Sequence, residues 1–164
     1  MNHHLNQNEQ FTTKLTLLQE ILDKKQNALA AILAISENQE QLYLSPADDV
    51  RREFLMEMGK EKQKQIDEVL TCDEVFQRLF DSLANEFAQK GKQYADEVKK
   101  LQTSIKDVLE LDVQIRAQEQ KSRMRARESF GLPAKENVIN TTSTNYILDK
   151  YQRNNKPSRR GKTP

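Results

Sequence analysis

Apolar residues recur along most of this chain at alternating steps of four and three, the spacing that lines one side of an α-helix. In the first long segment the line runs Phe11, Leu15, Leu18, Leu22, Lys25, Leu29, Ile32, Ser36, Gln39, Tyr43, and seven of these ten positions are apolar. Leu17, Ile21, Ala28 and Ile35 widen the stripe, which predicts packing against more than one partner helix. Ser45-Pro46-Ala47-Asp48 interrupts it. A hydroxyl, then Pro, then a carboxylate predict a second helix capped by Ser45, with Pro46 at its first position and Asp48 at the positive end of its dipole. The second line reads Val50, Phe54, Met58, Lys62, Ile66, Val69, Asp73, Phe76, Phe80, Leu83, Phe87. Thr71-Cys72-Asp73-Glu74 has the form of a capping box, but the stripe keeps its phase through that point and predicts one continuous helix. Gly91 marks the next weak point. A third line follows as Tyr94, Val98, Leu101, Ile105, Val108, Asp112, Ile115, broadened by Leu109, Leu111 and Val113. Lys121, Arg123, Arg125 and Arg127 suit a helix C-terminus, and Gly131 and Pro133 supply a cap and a stop.

The pattern predicts an all-α fold: an elongated antiparallel three-helix bundle or coiled coil over residues 1–130, with helices at about 8–44, 46–90 and 92–129. Composition narrows the choice in the same direction. Across 164 residues only 36% are apolar and 31% are charged, with four Gly, four Pro and no Trp. That supply of turn residues and bulky side chains disfavours sandwiches, barrels and α/β enzymes. Helices of this length cannot be buried all round, so one helix or the bundle ends are expected to stay under-packed.

The helical period ends after Gly131. Residues 131–164 read as a flexible basic tail, expected to be disordered in isolation. One island of two aromatics and two aliphatics, Tyr146-Ile147-Leu148-Asp149-Lys150-Tyr151, interrupts it. Residues 1–120 carry 15 Lys/Arg and 22 Asp/Glu, whereas residues 121–164 carry 11 and 3. A basic tail on an acidic body can meet nucleic acid, an anionic membrane surface or an acidic protein patch. Of these, nucleic acid is the less favoured. No run of about 18 apolar residues exists to span a bilayer. Met1-Asn2-His3-His4 lacks the layout of a signal peptide, and Cys72 as the sole cysteine fits a reducing compartment. The expectation is a soluble cytoplasmic protein without stable membrane insertion.

Reactive chemistry is sparse. The chain has no glycine-rich phosphate loop, no Cys-x-x-Cys and no His-Glu-x-x-His. His3 and His4 are too few for a metal site of fixed geometry. Cys72 lacks a nearby histidine partner and reads as a half-buried seam residue. Carboxylates such as Glu57 and Glu61 lie beside Lys60 and Lys64 and read as solvated helix-face pairs. No enzyme, cofactor or metal is expected. For Val98, Leu101, Ile105, Val108, Leu109 and Ile115 two roles stay open, internal core or an amphipathic face offered to a partner helix. For the island at 146–151, folding back on the bundle and docking to a partner likewise stay open.

Several segments, in order, resemble the FlgN-like flagellar export chaperones. These are Ile35-Ser36-Glu37-Asn38-Gln39-Glu40-Gln41-Leu42, then Glu61-Lys62-Gln63-Lys64-Gln65-Ile66-Asp67, then the Asp-x-x-Phe of Asp73 and Phe76, then Leu109-Glu110-Leu111-Asp112, and last Tyr146-Ile147-Leu148-Asp149-Lys150. The likeness spans roughly residues 30–150. It implies a cytosolic helical chaperone of the type III secretion apparatus, active in flagellum biogenesis. Such a protein holds the aggregation-prone helical ends of hook-associated proteins and delivers them to the export gate protein. The resemblance places cargo binding in the C-terminal helical region, hence on Val98, Leu101, Ile105, Val108, Leu109 and Ile115. It places export-gate docking on Phe130, Tyr146, Ile147, Leu148 and Asp149, with Phe130 standing where many relatives carry tyrosine. Two other readings compete: a structural coiled-coil homo-oligomer scaffold without cargo, and a nucleic-acid or anionic-surface binder acting through the basic tail.

Overall fold

The computed structural model of the chain describes residues 2–131, with side chains from residue 6 onward. These residues form three helices, α1 (Asn2–Tyr43), α2 (Asp49–Lys90) and α3 (Ala95–Phe130). The all-α three-helix architecture is the expected one. The predicted tail, residues 132–164 with the island at 146–151, lies outside the described residues. At 1.5 Å per residue α1 and α2 are each about 63 Å long.

Two terminations follow from local chemistry. Asp48, in extended conformation, caps α2, and its carboxylate accepts the Arg51 amide at 2.8 Å. Ser45 does not cap α2: its hydroxyl donates to the Leu42 carbonyl at 2.6 Å and so closes α1 instead. Pro46 consequently sits in the turn, where its carbonyl accepts the Asp48 N–H. The physical reason is that a carboxylate outcompetes a neutral hydroxyl for a helix N-terminal amide. At the other end, Gly131 adopts φ 63° and donates to the carbonyls of Arg127 and Glu128. A left-handed residue is needed there, and glycine adopts it without a Cβ penalty. No break occurs at Thr71, whose hydroxyl donates back to the Asp67 carbonyl rather than forward as a cap.

The central element is α1. Phe11 meets Phe87, Lys25 meets Asp73 and Gln39 meets Lys62, so α1 and α2 run antiparallel. Phe11 meets Tyr94, Gln19 meets Ser104 and Ser36 meets Glu119, so α1 and α3 run parallel. α1 packs closely on both neighbours, whereas no Cα of α2 comes within 8 Å of a Cα of α3. The bundle therefore has two tight seams and one wide one.

Along its length the interior alternates in character. One apolar cluster joins Phe11, Leu15, Leu18 and Leu22 to Leu83 and Leu101. A second joins Ala28, Leu29 and Ile32 to Ile66, Val69, Val108 and Ile115. Between and beyond them lie the polar members of the three stripes. Lys25 pairs with Asp73 at 2.5 Å. Lys62 is buried and paired with buried Glu119, and it also donates to Gln39 at 3.2 Å. Ser36, fully buried, donates to Glu119 at 2.6 Å, and Ser122 donates to the Ser36 carbonyl at 3.1 Å. Gln118 donates to Glu40 at 2.6 Å. The bundle closes on Arg51, 5% exposed, whose guanidinium lies 5.5 Å from the Phe130 ring and donates to the Ser45 carbonyl.

A buried ion pair loses far more when one partner is removed than when both are replaced by apolar residues. Glu119→Gln is therefore expected to lower stability by about 3–5 kcal/mol, read by urea denaturation. The double variant Lys62→Met with Glu119→Leu is expected to recover most of that loss. Additive effects of the two positions would show that Lys62 and Glu119 act independently.

Candidate partner-binding surface on the third helix

The six residues proposed as a binding face divide in two. Leu101, Val108 and Ile115 are 6%, 3% and 1% exposed and belong to the internal clusters. They are enclosed against α1 and α2 and cannot offer a surface while the bundle is intact. Val98 is half-buried, and Ile105 and Leu109 are exposed. Val113, noted above only as added apolar surface, is 64% exposed and continues their line. The division has a geometric cause. A helix turns about 100° per residue, so Leu101, Val108 and Ile115 share one core-facing line, whereas Val98, Ile105, Leu109 and Val113 lie roughly 60–140° around the helix from it. From Ile105 through Leu109 to Val113, steps of four carry the line progressively outward, and exposure rises to 64% at Val113.

The side to which they drift is fixed by contacts. Ser104, Gln118 and Ser122 reach α1 from one flank of the buried line on α3. The apolar strip lies on the opposite flank, toward the wide α2–α3 seam. On α2, Glu68 and Glu86 reach Lys24 and Lys14 from the flank nearest α1. Phe80 lies on the other flank and is 41% exposed. It stacks on Phe76 at 5.9 Å with 12° between the rings, and lies 5.5 Å from Phe87. By the antiparallel register of α2 and α3, Phe80 comes level with Leu101, between Val98 and Ile105 of the strip. Wide spacing between two helices thus leaves four aliphatics and an aromatic on one side of the molecule without internal cover.

Beneath the strip sits Asp112, 3% exposed, with Oδ1 lacking any hydrogen-bond partner. The charged groups around it are Lys25 on α1, Asp73 on α2 and Arg116 on α3. Burial raises its pKa to about 7, more than Lys25 and Arg116 lower it, and Asp73 adds to the rise. Burial likewise lowers the pKa of Lys25 against the opposing pull of Asp73. Cys72 is buried, and burial raises its thiol pKa, which keeps it in the unreactive protonated form near neutral pH.

Phe130 is 45% exposed, but its ring packs edge-on against Tyr43 at 6.2 Å and over Arg51. It is anchored to the bundle on one face and open on the other. Tyr146, Ile147, Leu148 and Asp149 lie outside the described residues. Gln118, Glu119 and Ser122 were not anticipated as interior residues of α3, although their partners Ser36 and Lys62 stand on the predicted stripes. Residues 117–127 read as a polar run, and the available signal was Ser122 and Ala126 seven and eleven residues beyond Ile115. Among the described residues no group of three or more His, Cys, Asp or Glu could hold a metal ion. No helix among them is long and apolar enough to cross a membrane.

Because Asp112 holds its proton more tightly folded than unfolded, its contribution favours folding least above the folded pKa. Wild-type stability is expected to fall as pH rises from about 4 to 7 through this group. Asp112→Asn removes the titration while keeping the shape. The melting-temperature advantage of the variant is expected to widen across that range and stay level above it, by thermal denaturation followed by circular dichroism. A constant difference at every pH would show that Asp112 does not change protonation on folding. Comparison of the chain with family models, with curated proteins and with solved structures finds no match.

Proposed function

We propose that this chain is a helical export chaperone of the FlgN-like kind, which holds an amphipathic helical end of a flagellar hook-associated protein in the cytoplasm and presents it to the export gate. The observation that carries the reading is the exposed apolar strip Val98, Ile105, Leu109 and Val113 beside the wide seam. An amphipathic helix laid along that seam would complete a four-helix cross-section and cover Phe80 as well. Apolar burial supplies about 25 cal/mol per Å2, less the cost of ordering the incoming segment. A strip of four half-exposed aliphatics supports a modest affinity, which suits a client that must be released. The resemblance across residues 30–150 supports the identity of the client class. The half-open ring of Phe130, at the opposite end of α3 from Val98, suits a second contact with the gate.

The test separates the strip from the core. Ile105→Asp combined with Leu109→Asp places charges at exposed positions, so the melting temperature is expected to change little. Binding of a hook-associated protein, measured by titration calorimetry, is expected to weaken by about 100-fold, the equivalent of ~3 kcal/mol. Unchanged binding by a folded double variant would exclude the strip as the client site. If sedimentation shows instead that the unmodified chain forms tight homo-oligomers that this variant breaks, the scaffold reading replaces the chaperone reading.

A further inference from the structure

The strip on α3 and the segment that follows α3 are complementary in three respects. The first is reach. Tyr146 lies 15 residues beyond Gly131, and an extended chain of that length spans about 50 Å. Leu109 lies 22 residues before Gly131, or about 33 Å back along the helix. The island at 146–151 can therefore reach the strip of its own molecule with slack remaining. The second is polarity. Tyr146, Ile147, Leu148 and Tyr151 are the densest apolar group after residue 131, and Ile105, Leu109 and Val113 are exposed on the bundle. The third is charge. Residues 132–164 hold seven Lys/Arg and two Asp/Glu, whereas residues 2–131 hold 19 and 23. Lys150 lies within the island and Arg153 and Lys156 follow it, and Glu74 and Asp81 are exposed on α2.

We infer that residues 146–151 of this chain dock on the apolar strip Val98–Ile105–Leu109–Val113 of the same molecule, covering the α2–α3 seam until a partner helix displaces them. The contact itself need only be weak. A tether of this length confers an effective concentration on the order of millimolar, so an island with millimolar intrinsic affinity would already occupy the strip a large part of the time. Such an occupant shields exposed aliphatics from self-association, and a client with a longer apolar face outcompetes it. The inference concerns the protein alone and stands apart from the chaperone reading, so each can fail without the other.

The experiment uses the full chain. Cys72→Ser with Gln152→Cys places a single nitroxide next to the island, and methyl resonances of Ile105, Leu109 and Val113 report the strip. The expected result is loss of most of their intensity in the oxidised label, with methyls of Leu44 and Val50 at the far end of the bundle retained. Ile147→Asp with Leu148→Asp in the same labelled chain is expected to restore the strip signals, and because both positions lie beyond α3 this variant leaves the bundle folded. Retained intensity in the parent, or loss that persists in the Ile147→Asp, Leu148→Asp variant, would overturn the inference. A mixture of spin-labelled chains and isotope-labelled chains decides the source. Loss that appears equally in the mixture marks a second copy as the occupant and also overturns it, while loss confined to doubly labelled chains supports it.

Discussion

Taking a lysine and a glutamate out of water together is tolerable only when they find each other and when neighbouring groups satisfy what remains of their hydrogen bonding. Lys62 of α2 and Glu119 of α3 meet this condition toward the end of the bundle that closes on Arg51, with Ser36 and Gln39 of α1 completing the set. Lys25 and Asp73 impose a second condition some turns away. A coiled stripe of leucines can slide by a heptad at modest cost, because one aliphatic replaces another. A buried charge cannot, because any slide leaves it unpaired. The two polar layers therefore set the register in which the apolar clusters close, and the rest of the interior follows.

Register then decides which apolar residues are internal. With Glu119 held at Lys62 and Ser122 at the Ser36 backbone, α3 lies flush against α1. Leu101, Val108 and Ile115 are thereby directed inward. α2 stays farther from α3, with no Cα pair within 8 Å, and Lys62 spans that gap to reach Glu119. A wide seam is the consequence, and aliphatics on its α3 wall have nothing opposite them. Exposure of Ile105, Leu109 and Val113 thus follows from the wide spacing of α2 and α3 rather than from any excess of hydrophobic residues, which the composition does not have.

Asp112 belongs to the same scheme with one difference. It sits among Lys25, Asp73 and Arg116, yet one of its oxygens has no hydrogen-bond partner. Burial outweighs the pull of Lys25 and Arg116 and favours its neutral form. Asp112 therefore lies, neutral or charged according to pH, beneath the surface proposed to receive a partner.

Much of this was legible in the amino-acid order. Three helices, their continuity through Thr71, and the left-handed close at Gly131 follow from local periodicity and turn chemistry, which act over a few residues. The positions of Lys25, Ser36, Lys62, Asp73 and Asp112 within otherwise apolar stripes were legible as well, but not their partners, because pairing joins residues some 50 to 85 positions apart. Glu119 and Ser122 could not be distinguished from a solvated run, since their burial depends on which neighbour α1 presents. The cap of α2 passed from Ser45 to Asp48 once the turn geometry was realised. For the binding face, the sequence by itself determined that α3 carries more apolar residues than one stripe requires. Only the tertiary structure decided which of them are enclosed, because enclosure depends on the distance between helices, and that distance is set by side chains meeting across the bundle rather than along the chain.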